Sequence, residues 1–322
     1  MKKGVILILA LIILAAAYML SGRSVENSAK PVADWPVLPN GFQLGEPSGL
    51  AIDTADNLVV FNRAGREWPF FGSMPKAFIP NNTITIFSNK TGKLLRSWGG
   101  NMFVMPHGLS IDSKGNYWLT DVGLHQVFKY SPAGKLLLRL GEAGVRGGDR
   151  VHFDKPTDVA VAEDGSFYVS DGYGNSRIIE FSAQGKYLLE WGRKGSGDGE
   201  FNIPHNLELD NAGNVYVADR ENKRIQVFTP NGRFIRKITS PDFGKITSLV
   251  FGANGRLYAA DDANILGLLH RGSSVFEVPD NAEPRVIAGQ AGWFHAIAVD
   301  NTGNLYAGDI NKDKIFKFLR SE

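Results

Sequence analysis

From about Gly41 onward, apolar and polar residues alternate with period two in short runs, and turn residues break the runs at regular intervals. Between Pro106 and Leu140 the runs "PHGLSID", "NYWLTD", "HQVFKY" and "KLLLRL" follow one another, separated by Ser, Lys, Gly or Ala-rich turns. Period two places alternate side chains on one face of a strand, and polar turn clusters between runs join antiparallel neighbours. The same order recurs in "PHNLELDNAGNVYVADRENKRIQVFTPNGRFIRKI" from Pro204. Six copies begin near Pro47, Pro106, Pro156, Pro204, Ile246 and Phe294. A repeat of about 40–50 residues with four strands is the pattern of a propeller blade. The expected fold is therefore all-β: a six-bladed β-propeller over residues 41–322. The sixth copy ends after its third strand, "KIFKFLRS", and its fourth strand is expected from within residues 35–45. Pairing the two ends in this way covers the edges of the first and last blades.

Ahead of the repeats, the pattern changes twice. Lys2 and Lys3 precede the unbroken apolar run "GVILILALIILAAAYML" over residues 4–20, with Ala15 and Ala17 in an A-x-A arrangement. Residues 1–22 thus read as a signal peptide or signal-anchor helix, and the chain is expected outside the cytoplasm, with any membrane contact confined to this segment. Residues 23–40 have no period and three prolines, and read as a linker. Once Lys2 and Lys3 are set aside, 33 basic residues meet 33 acidic ones. A folded part without net charge offers no basic stripe for nucleic acid. The chain has no cysteine, so it carries neither disulfides nor a lipidated N-terminal Cys, and its stability must come from a large core.

Aligning the second residue of each repeat gives Ser48, His107, Thr157, His205, Thr247 and His295. Histidine occupies every second copy. First strands of blades line the axis of a propeller, and alternate blades of six lie about 120° apart, so three imidazoles would converge. Three His ligands with an open fourth position describe a catalytic zinc site. A wet channel lined by unliganded histidines is the plainer reading of any one of them; three in alternate copies favour the metal. The remaining histidines, His125, His152 and His270, lie outside this register.

Residues just after each second strand return to the same rim. There the sequence has Arg63, Tyr173 and Arg220, with Val122, Asp262 and Ile310 in the other copies. Tyr173 is a candidate proton acceptor whose ordinary pKa of about 10 would fall beside a cation. Arg63 and Arg220 are candidates to hold a carboxylate.

The stretches "MPHGLSIDSKGNYWLTDVGLHQVFKYSP", "KPTDVAVAEDGSFYVSDGYGNSRIIEFSAQGK", "IPHNLELD" and "VADRENKRIQVF" resemble the peptidyl-α-hydroxyglycine α-amidating lyases, a branch of the NHL-repeat propellers. The likeness covers about residues 45–320 and is weakest in the fifth copy, "DDANILGLLHRGSSVFEV". It implies zinc on His107, His205 and His295, with Tyr173 catalytic and Arg63 and Arg220 supporting it. It implies cleavage of a small-molecule or peptide substrate ending in α-hydroxyglycine, giving an amide and glyoxylate. It also implies calcium held through the backbone carbonyls of Leu50 and Leu109, although Ala296 stands where the family has an Asp ligand. Gly174 stands where animal members have Cys.

Two other functions fit the same fold. A non-enzymatic exported propeller that binds a peptide or protein would carry no metal. A calcium-dependent lactonase would want carboxylate and amide ligands at the axis, where this chain aligns histidines and hydroxyls.

Overall fold

The second run of each repeat is apolar at nearly every position, and it becomes a fully buried strand between the first and third strands of each sheet. Leu58–Asn62, Tyr117–Asp121, Phe167–Asp171, Val215–Asp219, Leu257–Asp262 and Leu305–Asp309 are buried along their whole length. The fourth runs alternate instead, as in Tyr187–Trp191 and Phe234–Ile238, which show one face to solvent. The computed structural model describes residues 29–69, 73–262, 264–265, 269–270, 272–290 and 292–320. The expected helix over residues 1–22 lies outside them. No helix among the described residues is long and apolar enough to cross a membrane.

Six antiparallel sheets result, each with its strands in chain order. The first strands are Pro47–Ile52, Pro106–Ile111, Asp158–Val161, Pro204–Leu209, Lys245–Phe251 and Phe294–Val299. Blades one to five have four strands and blade six has three, ending with Lys314–Phe318. Blade five also carries a small added hairpin, Asn264–Ile265 with Leu269–His270, which is where the repeat pattern weakened. The core follows the same plan, with one apolar cluster in each of the six seams between neighbouring blades. The propeller inferred from the repeats is the observed fold.

The closing strand is not where the pattern put it. Pro31 bridges Phe318 in antiparallel fashion, and the Val32 N–H donates to Lys317 O at 2.7 Å. Within 35–45, Val37 bridges Lys93 in blade one instead. The reason is Trp35, whose ring drops into the seam between blades six and one, 5.0 Å from Tyr306 and 6.5 Å from Phe87. The chain has to pass the outer edge of blade six before reaching that seam. Residues 29–37 of the expected linker therefore lie against the propeller and fasten its ends together.

Candidate active site

The axial position of each histidine comes from a local fault in the strand. Register shifts fall between Pro47 and Gly49, Pro106 and Leu109, Pro204 and Asn206, Ile246 and Ser248, and Phe294 and Ala296. Each fault contains the second residue of its repeat. A bulge breaks the two-residue alternation and re-aims a side chain. His107, His205 and His295 are consequently buried together, with ring centroids 4.7–4.8 Å apart.

Each imidazole is held by its Nδ1. Thr157 O lies 2.7 Å from His107 Nδ1, Thr247 O 2.7 Å from His205 Nδ1, and Ser48 O 2.8 Å from His295 Nδ1. A carbonyl can only accept, so each Nδ1 carries the proton and each Nε2 keeps its lone pair. Burial, followed for His107 by the Arg63 charge, pulls that imidazole down to about 3; burial and the neighbouring rings and arginines pull His205 and His295 well below the usual value. The trio is neutral at ordinary pH. One ligand atom from each histidine lies within 4.8 Å of the others, which suits a metal ion that leaves a fourth position open. Carbonyls that accept from Nδ1 fix the orientation of each ring, as metal-bound histidines require.

Tyr173 stands directly over the trio. Its hydroxyl is 3.0 Å from His107 Nε2 and 3.1 Å from His205 Nε2. It reaches there because Gly172 lets the chain pass close to the Pro204 carbonyl; a methyl on that residue would collide with Pro204 O and Thr157 Oγ1. Trp68 lies against the other side of the phenol, with ring centroids 5.3 Å apart. Burial raises the Tyr173 pKa, and the charges of Arg220 and Arg63 offset only part of that rise. A fall in this pKa would therefore require the added charge of a bound cation.

The two arginines occupy different posts. Arg63 is 1% exposed, pairs through Nη1 with Glu46, donates from Nε to Pro106 O at 3.1 Å and sits 5.0 Å from the Trp68 ring. Arg220 follows the end of its second strand in a single 3-10 turn, and its ion pair to Glu221 is long at 3.6 Å. Its Nε is buried without a hydrogen-bond partner among the described residues. Both arginines line a cavity of about 550 Å³ with Trp68, Tyr173, Lys245 and Trp293. Of the other rim positions, Asp262 and Ile310 line it and Val122 is buried elsewhere.

Leu50 and Leu109 line a second axial cavity of about 330 Å³, which runs along the inner strands away from Tyr173. Ala296 brings a methyl group to it, and Asp158 is already committed to the Asn206 amide and the Leu207 N–H. The donor set for calcium at Leu50 and Leu109 is therefore incomplete at position 296, and no role is assigned to that ion.

Glu46, Trp68 and Trp293 escaped the sequence reading. Glu46 sits one residue before the first repeat begins, and Trp68 lies in the longest break within blade one, "AGREWPFFGSMPK". Three aromatics and Arg66 in that break, directly after Arg63, were the available signal.

The NHL repeat family matches residues 103–130, 153–181 and 201–228, which are blades two to four. A rat peptidylglycine alpha-amidating monooxygenase is 39% identical over 90% of this chain and 32% of its own length. A peptidyl-alpha-hydroxyglycine alpha-amidating lyase 2 of Drosophila melanogaster is 36% identical over 72% of this chain and 64% of that protein. The chain belongs to the peptidyl-α-hydroxyglycine α-amidating lyase family. A probable lyase of this family in Caenorhabditis elegans is 42% identical over 58% of this chain and 56% of its own length. The chain thus spans about a third of the rat relative and between half and two-thirds of these two lyases. Among solved structures, a virginiamycin B lyase from Staphylococcus aureus shares the fold, with a TM-score of 0.57 over 87% of this chain and 83% of that one at 17% identity.

Proposed function

We propose that this protein cleaves the C–N bond of a peptidyl-α-hydroxyglycine, or a related N-acyl carbinolamide, to give an amide and glyoxylate, with zinc on His107, His205 and His295. The observation that carries this reading is the Tyr173 hydroxyl within 3.1 Å of two Nε2 atoms, on the same cavity as the partnerless Nε of Arg220. Three neutral nitrogen donors with an open position suit zinc, which when bound supplies Lewis acidity to a neighbouring oxygen.

The substrate carries a carboxylate, a hydroxyl and an amide nitrogen on one carbon. Arg220 holds the carboxylate by a charge-assisted hydrogen bond from a partly desolvated site, where such bonds are strong. Tyr173, in the phenolate form that zinc on the trio would favour, accepts the hydroxyl proton as general base. The electron pair left on oxygen forms the C=O bond of glyoxylate as the C–N bond breaks. The departing nitrogen takes that proton back from Tyr173 and becomes the amide, so no oxidant or water is consumed and the phenolate is restored. Trp68 and Trp293 narrow the cavity around the acyl group and limit water.

Incubation of the zinc-loaded protein with α-hydroxyhippurate is expected to release equal amounts of benzamide and glyoxylate. Zinc-loaded protein that turns over no N-acyl-α-hydroxyglycine would sink the proposal. An extracytoplasmic location is part of the same reading, supported by the apolar run 4–20 behind Lys2 and Lys3. Cell fractionation tests it, and recovery of the protein in the cytosol would count against it.

A further inference from the structure

The residues around the axis hydrogen-bond from blade to blade, and the pattern changes at one joint. His107 Nδ1 bonds to Thr157 O at 2.7 Å, and Thr157 Oγ1 donates to Pro204 O, just before His205, at 2.8 Å. His205 Nδ1 bonds to Thr247 O at 2.7 Å, and Thr247 Oγ1 donates to Phe294 O, just before His295, at 2.8 Å. His295 Nδ1 then bonds to Ser48 O at 2.8 Å. The pattern calls for a sixth link, from the Ser48 hydroxyl to Pro106 O, just before His107. That link is not the one made. Ser48 Oγ donates to Phe61 O in its own blade at 3.2 Å, and Pro106 O accepts from Arg63 Nε at 3.1 Å.

We propose that Arg63, steadied by Glu46, is a positioning residue for the imidazole trio: its Nε supplies the sixth joint and fixes the strand start that carries His107. The inference rests on the reading that the trio holds a metal. Thr157 and Thr247 show what the joint does. Each anchors the carbonyl directly ahead of a histidine, so the following imidazole starts from a fixed backbone. At blade two the hydroxyl is one link short, and a guanidinium from the adjacent loop of blade one takes its place. Glu46 pairs with the Nη1 of the same guanidinium and also accepts the Trp68 N–H at 3.4 Å, which ties that loop to the joint. Losing the donor takes a hydrogen bond from a buried carbonyl, which is unfavourable. The strand relieves this by shifting the His107 backbone. Disturbing the groups that orient metal-bound histidines lowers metal affinity about 10–100-fold.

Charge alone predicts the opposite sign. Removing a cation near a divalent ion strengthens metal binding, and exchanging Arg for Lys leaves it nearly unchanged. Zinc affinity measured by competition with a chromophoric chelator therefore separates the two roles without recourse to turnover. Arg63→Lys and Arg63→Met are both expected to weaken zinc binding about tenfold or more. Adding Ser48→Thr to Arg63→Met should recover much of that loss, because a threonine there can reach Pro106 O as Thr157 and Thr247 reach their carbonyls. Arg220→Met, which removes a comparable charge but no joint, should bind zinc at least as tightly as the wild type. Wild-type zinc affinity in Arg63→Lys, or tighter binding in Arg63→Met, overturns the inference alone. A wild-type protein that takes up no zinc overturns the metal reading and this inference with it.

Discussion

The Tyr173 phenol is confined by His107, His205 and Trp68, and burial raises its pKa against the pull of two arginines. Exchanging it for Phe keeps the ring and removes only the proton acceptor. Tyr173→Phe is expected to lower kcat about 10²–10⁴-fold, the usual worth of a positioned general base. Zinc per chain, measured by elemental analysis, should not change. Arg220→Met is expected to raise KM for an α-hydroxyglycine substrate roughly tenfold or more, as loss of a charge-assisted hydrogen bond does. The same variant should discriminate poorly between that substrate and its C-terminal amide, and a wild-type preference ratio would argue against the assigned contact. On the other side of the trio, burial lifts Asp158 to about 7, and burial with the Asp158 charge lifts Glu208 to about 8. Both folded values lie above the ordinary carboxyl range of about 4. Between these limits the two carboxyls hold protons in the folded chain that they have released in the unfolded one, so their contribution to stability falls as pH rises from about 5 through 8. Glu208→Gln removes one of these groups. Its melting temperature should fall less steeply over that range, and it should melt above the wild type at pH 8.5.

At the scale of the element, strands were legible and their faults were not. Alternation gave the four runs of each blade, and register across copies brought His107, His205 and His295 into one ring because equivalent residues of a repeat occupy equivalent places. The bulge that aims them inward depends on pairing between two strands, which no single run records. Asp at the end of second strands was visible as a motif without its task. Asp121 shows it, accepting the N–H groups of Val104, Met105, Gly123 and Leu124 and so tying the loop ahead of its blade to the following turn. In blade one Asn62 takes this place and bonds the Ala64 N–H, which sets the loop carrying Arg63. Glu46 stayed hidden because its meaning lies in Arg63 and Pro106, one of them 60 residues beyond it (a separation on the order of a whole blade). Gly172 gives the element-scale test. Gly172→Ala would force the loop off Pro204 O and move the Tyr173 hydroxyl from its two imidazoles. Overpacking of this kind costs about 1–3 kcal/mol, so a lower melting temperature should accompany a loss of turnover. Unaltered kinetics would show that the loop tolerates a different path.

For the whole molecule, the position of the fastening decides how the ends are held. Pro31 and Val32 pair with the last strand, Val37 pairs with blade one, and Trp35 fills the seam between them. The error in the expected closing strand had a specific source: Pro31 and Val32 read as linker because their partners, Phe318 and Lys317, come from the far end of the repeat array. Trp35→Ala is expected to cost about 3 kcal/mol, the low end for removing a large aromatic side chain. Thermal melting with and without a chelator should show a larger loss in the zinc-loaded protein than in the stripped one, because the closing seam lies next to His295.

That placement gives the imidazole trio a mechanical meaning. His107, His205 and His295 belong to blades two, four and six, so each pair of neighbouring ligands has a whole blade between them. A metal on them would act as a keystone in an arch of six stones. No blade can peel away from the ring without either carrying off a ligand or parting the two blades that flank it. Fraying from the termini, ordinarily the easiest way into a repeat protein, begins here at the blade that holds His295. Metal release should therefore report the first opening of the ring, well before the sheets themselves come apart.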